Sequence, residues 1–182
     1  MRILTCIGDA TSPAARSGTP FHLFRAAQQA GFLDAAWTLD PRRYRLRRAM
    51  WNIWSQLRHG ERGGFQYSAD FLRRLLSQAS TIESDAEVIS HFPLFPPPKY
   101  TGPVSYYIDA TLAQNFEEYG LADSRTVSRH MMADAMTREK ERYTAAKHIV
   151  CMSRWAAPSV VERYHLGPAN VRIVPAGSNF DA

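Results

Sequence analysis

Cysteine is scarce: Cys6 and Cys151 are the only two in 182 residues, and each lies within an apolar run that reads as a buried strand. A disulfide framework is therefore not expected, and a reducing cytoplasm is the expected compartment. No stretch reaches the roughly 18 uninterrupted apolar residues of a membrane span. The N-terminus enters a short β-like run, Arg2 to Ile7, with no charged leader and long apolar segment, so the expectation is a domain that is not transmembrane. Histidines are few and scattered, and neither H-E-x-x-H nor paired C-x-x-C spacing occurs, so no metal site is expected. The dinucleotide fingerprint G-x-G-x-x-G and the P-loop pattern are missing too, and no cofactor is expected.

What is present has the make-up of a globular domain with one substantial core, 45% hydrophobic and 21% charged, with a formal charge of +5 that favours an anionic partner without naming it. Strand-like runs occupy Ile3 to Ile7, Ala35 to Leu39, Glu87 to His91, Val104 to Ile108, His148 to Met152 and Val171 to Val174. Helical patterns fill the gaps at Pro20 to Ala30, Arg43 to Arg58, Ala69 to Ala79, Thr126 to Thr144 and Arg154 to Tyr164. Gly31 closes the first of these, Ser153 is the N-cap of the last, and Gly167 with Pro168 ends it. Near-continuous apolar strands alternating with helices predict an α/β fold, a Rossmann-like three-layer sandwich with a mainly parallel sheet.

In such sheets ligands bind at the carboxyl ends of the strands, where loops and helix N-termini converge. Three segments reach that edge. Arg16, Ser17, Gly18 and Thr19 lead from the first strand into the first helix, and Gly18 with the helix amides could bring backbone donors to a hydroxyl or phosphate; an ordinary strand-to-helix turn is the equal alternative. His91 ends the third strand run ahead of a stiff loop containing Pro93, Pro96, Pro97 and Pro98. Asp109 ends the fourth and could accept from a substrate hydroxyl or act as a base, with capping of the following chain as the structural alternative. Their place at the binding edge makes Asp109 and His91 the candidate catalytic residues.

Arg42, Arg43, Arg45, Arg47 and Arg48 precede Trp51 and Trp54, while Leu46, Met50, Ile53, Trp54 and Leu57 recur at helical spacing. Arg43, Arg45, Arg47 and Arg48 beside tryptophan would suit the headgroups of an anionic membrane. The preferred reading is a surface helix whose apolar stripe covers the sheet and whose arginines are solvated. Nucleic acid is not an expected partner, since no recognised module is apparent and the aromatics lie at core-like spacing.

The stretch YTAAKHIVCMSRWAAPSVVERYHLGPANVRIVPAGSNFD, residues 143–181, resembles the segment that closes the first domain of group-1 (family 4) retaining glycosyltransferases of the GT-B fold. Ser153, Trp155, Tyr164, Val171, Val174, Pro175, Gly177 and Asp181 stand where that pattern places them, while Ala176 and Phe180 depart from its commonest Asn and Val. Ser17, Gly18 and the helix FHLFRAAQQAG are similar to the family's opening, with Thr19 at its second glycine. AEVISHFP at 86–93 and PVSYYIDAT at 103–111 resemble two of its strand ends, and Asp109 occupies or adjoins the family's usual histidine. The resemblance implies that residues 1–175 are the acceptor-binding half and 176–182 the start of an interdomain linker, with the donor-binding half absent. It further implies a parent enzyme moving a hexose from a nucleotide-sugar to a glycan or lipid-linked acceptor of the cell envelope, inactive as this fragment. The alternative is a stand-alone, non-catalytic Rossmann-like binding or interaction module.

Overall fold

The computed structural model describes residues 1–14, 18–60, 63–79, 81–83, 85–120 and 127–175. Six strands form, each on a run rich in β-branched or aromatic residues: β1 (Arg2–Ile7), β2 (Ala35–Leu39), β3 (Glu87–Ser90), β4 (Val104–Ile108), β5 (His148–Cys151) and β6 (Val171–Ile173). They make one sheet in the order β2-β1-β3-β4-β5-β6, and every neighbouring pair is parallel. The expected α/β sandwich is therefore the fold, with a sheet that is parallel throughout among the described residues.

Parallel strands need crossovers, and these supply α1 (Thr19–Gln29), α2 (Arg45–His59), α3 (Ala69–Ser77), α4 (Leu112–Glu117), α5 (Arg129–Thr144) and a short α6 (Ala156–Pro158) continued by one π-helical turn at Ser159–Arg163. Alternate residues of β1 serve the two faces. Leu4 and Cys6 meet Leu23, Phe24 and Ala27 of α1, while Ile3 joins the larger core under Phe71, Leu72, Leu75 and Leu76 of α3. No helix of the described residues is long and apolar enough to cross a membrane.

Most expected boundaries hold to within a few residues, and the departures have local causes. Gly31, with φ +66, closes α1 as the amides of Gly31 and Phe32 return to the carbonyls of Gln28 and Ala27. The second helix starts later than Arg43: Pro41–Tyr44 form a 3-10 turn, initiated by Asp40 Oδ1 accepting from the Arg42 amide at 2.9 Å. α5 begins at Arg129 on the Ser128 cap, and the residue at which it was expected to begin, Thr126, lies outside the described residues. Ser153 does accept from the Ala156 amide at 3.1 Å. Beyond it Pro158 removes an amide donor, and the continuation is π-helical. The segment is turned out of helix by His165 at φ 55, not by Gly167, whose φ of −62 any residue could adopt.

The largest difference concerns α2. Its apolar stripe does not cover the sheet: Leu46, Met50, Ile53, Trp54 and Leu57 are all exposed. Tyr44, Trp51 and Ser55 are the residues turned inward, and the space beneath them is already filled by Phe65 and Phe71, each 4% exposed.

Leu75 is fully buried between α3 and the sheet, so Leu75→Ala should cost about 3 kcal/mol, read as a lowered urea midpoint with an unchanged slope. A loss under about 0.5 kcal/mol would mean that α3 is not part of the cooperative core.

Candidate functional site

The chain runs outward from β1 to β2 and then returns to the other side of β1 for β3. Crossovers on either side of that reversal leave a crevice above the carboxyl ends of β1 and β3. A cavity of about 540 Å³ occupies this position. Its floor is Ile7 of β1, Ile108 of β4 and the residues that follow the strands, His91 to Leu94 and Asp109 to Ala110.

Each part of the floor is set by buried polar contacts. Thr5 Oγ1 donates to Ser90 Oγ at 2.9 Å, and Ser90 Oγ donates to the Phe92 carbonyl while accepting from the Phe92 amide. The His91 amide donates to the Thr5 carbonyl at 2.8 Å. These bonds turn the chain sharply after β3 and hold His91, whose ring sits 6.4 Å from that of Tyr107 and is only 5% exposed. The proline loop beyond it is anchored: Phe92, Leu94 and Phe95 are buried, and Tyr106 donates to the Phe95 carbonyl at 2.5 Å.

Asp109 lies at the exposed rim, its Oδ1 accepting from the Ala110 amide at 2.9 Å. It does not cap the helix that follows. Thr111 does, accepting from the Gln114 amide at 3.2 Å while Gln114 Oε1 accepts from the Thr111 amide at 3.1 Å, a reciprocal capping box. Behind this turn, Glu139 is wholly buried. Its Oε2 accepts from the Leu112 amide at 2.8 Å and from the Tyr164 hydroxyl, and its Oε1 from the Tyr143 hydroxyl at 2.8 Å. Burial outweighs these three donors and raises the carboxyl from 4.5 to about 7. One side chain thus ties α5, the end of the π-helical segment and the start of α4 to the turn that carries Asp109.

The opposite wall is cationic. Arg42, Arg45 and Arg48 recur every third residue through the 3-10 turn and the first turn of α2, and all three line the cavity. Gln78 fastens this wall to the end of α3: its Oε1 accepts from the Asp40 amide at 2.9 Å and its Nε2 donates to the Asp40 carbonyl at 3.0 Å. Tyr44 adds a bond to the Arg74 carbonyl at 2.8 Å. Tyr44, Phe65 and Tyr67 give the same wall an aromatic surface, and burial raises the Tyr67 hydroxyl above its ordinary pKa. Three guanidiniums facing a single rim carboxylate suit a ligand that has an anionic group and hydroxyls. Among the described residues no group of three His, Cys, Asp or Glu side chains could hold a metal ion.

The structure therefore brings His91 and Asp109 together in one cavity. Gly18 and Thr19 are not part of its lining. Gly18 takes φ +79 ahead of α1, where an added Cβ would stand 3.2 Å from the Pro13 carbonyl and the His22 ring. Arg16 and Ser17 lie outside the described residues, as do the linker residues 176–182. Sequence reasoning missed the roles of Arg42, Arg45 and Arg48 as a wall, although their spacing of three was visible. It also missed the Thr111–Gln114 capping box, whose T-x-x-Q pattern was legible, and Glu139, which sits in the charged run TREKER and carried no signal.

Because the folded Glu139 carboxyl keeps its proton between pH 4.5 and about 7 while the unfolded one does not, its contribution to stability is full below 4.5 and is lost as pH rises through 7. Wild type minus Glu139→Gln unfolding free energy should therefore be larger at pH 5 than at pH 8 in chemical denaturation. An equal difference at both would mean that the carboxyl titrates alike in both states.

No known protein family matches the chain and no curated protein matches it, so the chemistry of the cleft is read from its own residues.

Proposed function

We propose that this chain is the acceptor-binding domain of a retaining glycosyltransferase that moves a hexose from a nucleotide-sugar, held by a second domain, to a glycan or lipid-linked acceptor of the cell envelope. The observation that carries this reading is the cleft at the β1/β3 reversal, with His91 on its floor, Asp109 at its rim and three arginines opposite. The sequence resemblance at residues 143–181 supplies the reaction class and the retaining outcome.

In this reading Asp109 accepts from the attacking acceptor hydroxyl, with Oδ1 pinned by the Ala110 amide so that the carboxylate keeps its aim. His91, nearly enclosed, borders the space that the bound sugar would take. The arginine wall takes an anionic group of the acceptor, and the aromatic surface takes its apolar part. A sugar stacked against Tyr44 or Tyr67 would be oriented with little loss of side-chain freedom. The isolated domain is inactive because the reacting sugar must be held in near-attack geometry between two halves.

We place the reaction in the reducing cytoplasm. Support comes from the thiols: Cys6 and Cys151 are buried and form no disulfide, and burial pushes Cys151 up to about 11, where it is a poor nucleophile.

The test is transfer by the full gene product, supplied with labelled nucleotide-hexoses and a lipid and glycan extract of the source cells. Asp109→Asn should lower transfer by about 100-fold with thermal unfolding unchanged, and His91→Ala by about tenfold, with a lowered unfolding temperature because the side chain is buried. Undiminished transfer in both variants removes these residues from the mechanism. Absence of transfer by the wild-type protein favours a non-catalytic binding module.

A further inference from the structure

The exposed face of α2 is unlike the rest of the surface. Leu46, Met50, Ile53, Trp54 and Leu57 are 83%, 70%, 63%, 47% and 83% exposed. At about 100° per residue they fall within one arc of about 100°, a continuous apolar stripe along a helix of four turns. Nothing in the core requires it, since α2 is held from the other side by Ser55 and by Trp51, whose indole donates to the Gly63 carbonyl at 2.9 Å. A stripe of this length in water is a surface that something else covers.

Its borders say what. Residues 41–60 contain six arginines and no acidic residue. At the same angular step, Arg47 and Arg58 run along one border of the stripe, both of them exposed. Arg43 stands at its N-terminal end, 3.7 Å from the Asp40 carboxylate, and His59 at its C-terminal end. Arg58 lies over the Trp54 ring at 5.6 Å, the indole being at the stripe's edge. A second copy of this chain would set arginine against arginine across the interface, and a protein partner would need an acidic frame around an apolar ridge. An anionic bilayer offers apolar depth beneath a negative surface, and tryptophan at the boundary is at home in the headgroup layer.

We propose that the outer face of α2 is a docking surface for anionic membrane, with Leu46, Met50, Ile53 and Leu57 seated in the acyl boundary and Arg43, Arg47 and Arg58 among the headgroups. The inner edge of the same helix carries Arg45 and Arg48 into the cleft, so docking sets the mouth of the cleft at headgroup level. The docking itself does not depend on the transferase reading. A protein without transfer activity would still bind, and a protein that transfers need not.

The experiment is co-sedimentation of the 182-residue chain with vesicles of phosphatidylglycerol and phosphatidylcholine, and with vesicles of phosphatidylcholine alone, alongside analytical ultracentrifugation without lipid. The expected result is binding to the anionic vesicles at least about tenfold stronger than to the neutral ones. Leu46→Ser with Leu57→Ser, both at positions far from the core, should abolish it while circular dichroism and thermal unfolding stay those of the wild type. Arg43→Ser with Arg47→Ser and Arg58→Ser should weaken it by about tenfold or more and leave the cleft arginines in place. Absence of binding to anionic vesicles overturns the proposal. So does equal binding by the Leu46 and Leu57 variant, which would mean adhesion through charge alone. A dimer without lipid that the same two substitutions disperse, with no vesicle binding, would assign the face to a second copy and overturn it as well.

Discussion

Parallel pairing is the constraint from which the rest of this structure follows. A parallel strand cannot return by a tight turn, so each of the five pairings in the sheet obliges the chain to cross back before the next strand begins. Those crossovers cover the sheet on both faces, which is why β1 alternates between two cores, Ile3 toward α3 and Leu4 with Cys6 toward α1. They also bring the carboxyl ends of all six strands to one rim. The single reversal of direction, between β1 and β3, opens the crevice, and His91 and Asp109 meet there because β3 and β4 both end at it.

Apolar burial alone would leave the loops at that rim free to choose among conformations. Buried polar contacts select one. The Thr5–Ser90–Phe92 chain turns the backbone after β3, and the Glu139 carboxylate collects an amide and two tyrosine hydroxyls behind the turn that carries Asp109. Thr111 and Ser159 share a further bond of 2.7 Å between α4 and the π-helical turn. Each of these groups is costly to bury unpaired, so any rearrangement that breaks one is penalised directly. The precision of the site comes from this second layer of polar contacts, which touches no ligand.

The helix α2 divides its work by face. Tyr44, Trp51 and Ser55 hold it to the domain, Arg45 and Arg48 of its first turn border the cleft together with Arg42 of the preceding 3-10 turn, and the apolar stripe looks outward. Because a helix is rigid over this length, whatever covers the outer stripe fixes the position of the cleft's cationic wall.

The strands, most of the helices and the edge at which the cleft opens were legible from residue pattern, because β-branched runs and 3.6-residue periodicity reflect local preferences that the fold obeys. The placement of His91 and Asp109 beside the cleft was legible for the same reason, each ending an apolar run. The stripe on α2 was legible as a stripe, yet its side could not be read, since periodicity shows that a helix has two faces and not which one the core has room for. Phe65 and Phe71, beyond the end of the helix, filled that room. Glu139 was hidden among charged neighbours whose pattern reads as a solvated surface, and only the approach of Tyr143, Tyr164 and the Leu112 amide makes its burial tolerable. The sequence by itself determined which segments are strand or helix and at which edge of the sheet the loops converge. Tertiary structure decided strand order, the joining of three arginines to Asp109 and His91 in one cleft, and the exposure of α2, because each depends on residues far apart in the chain competing for the same space.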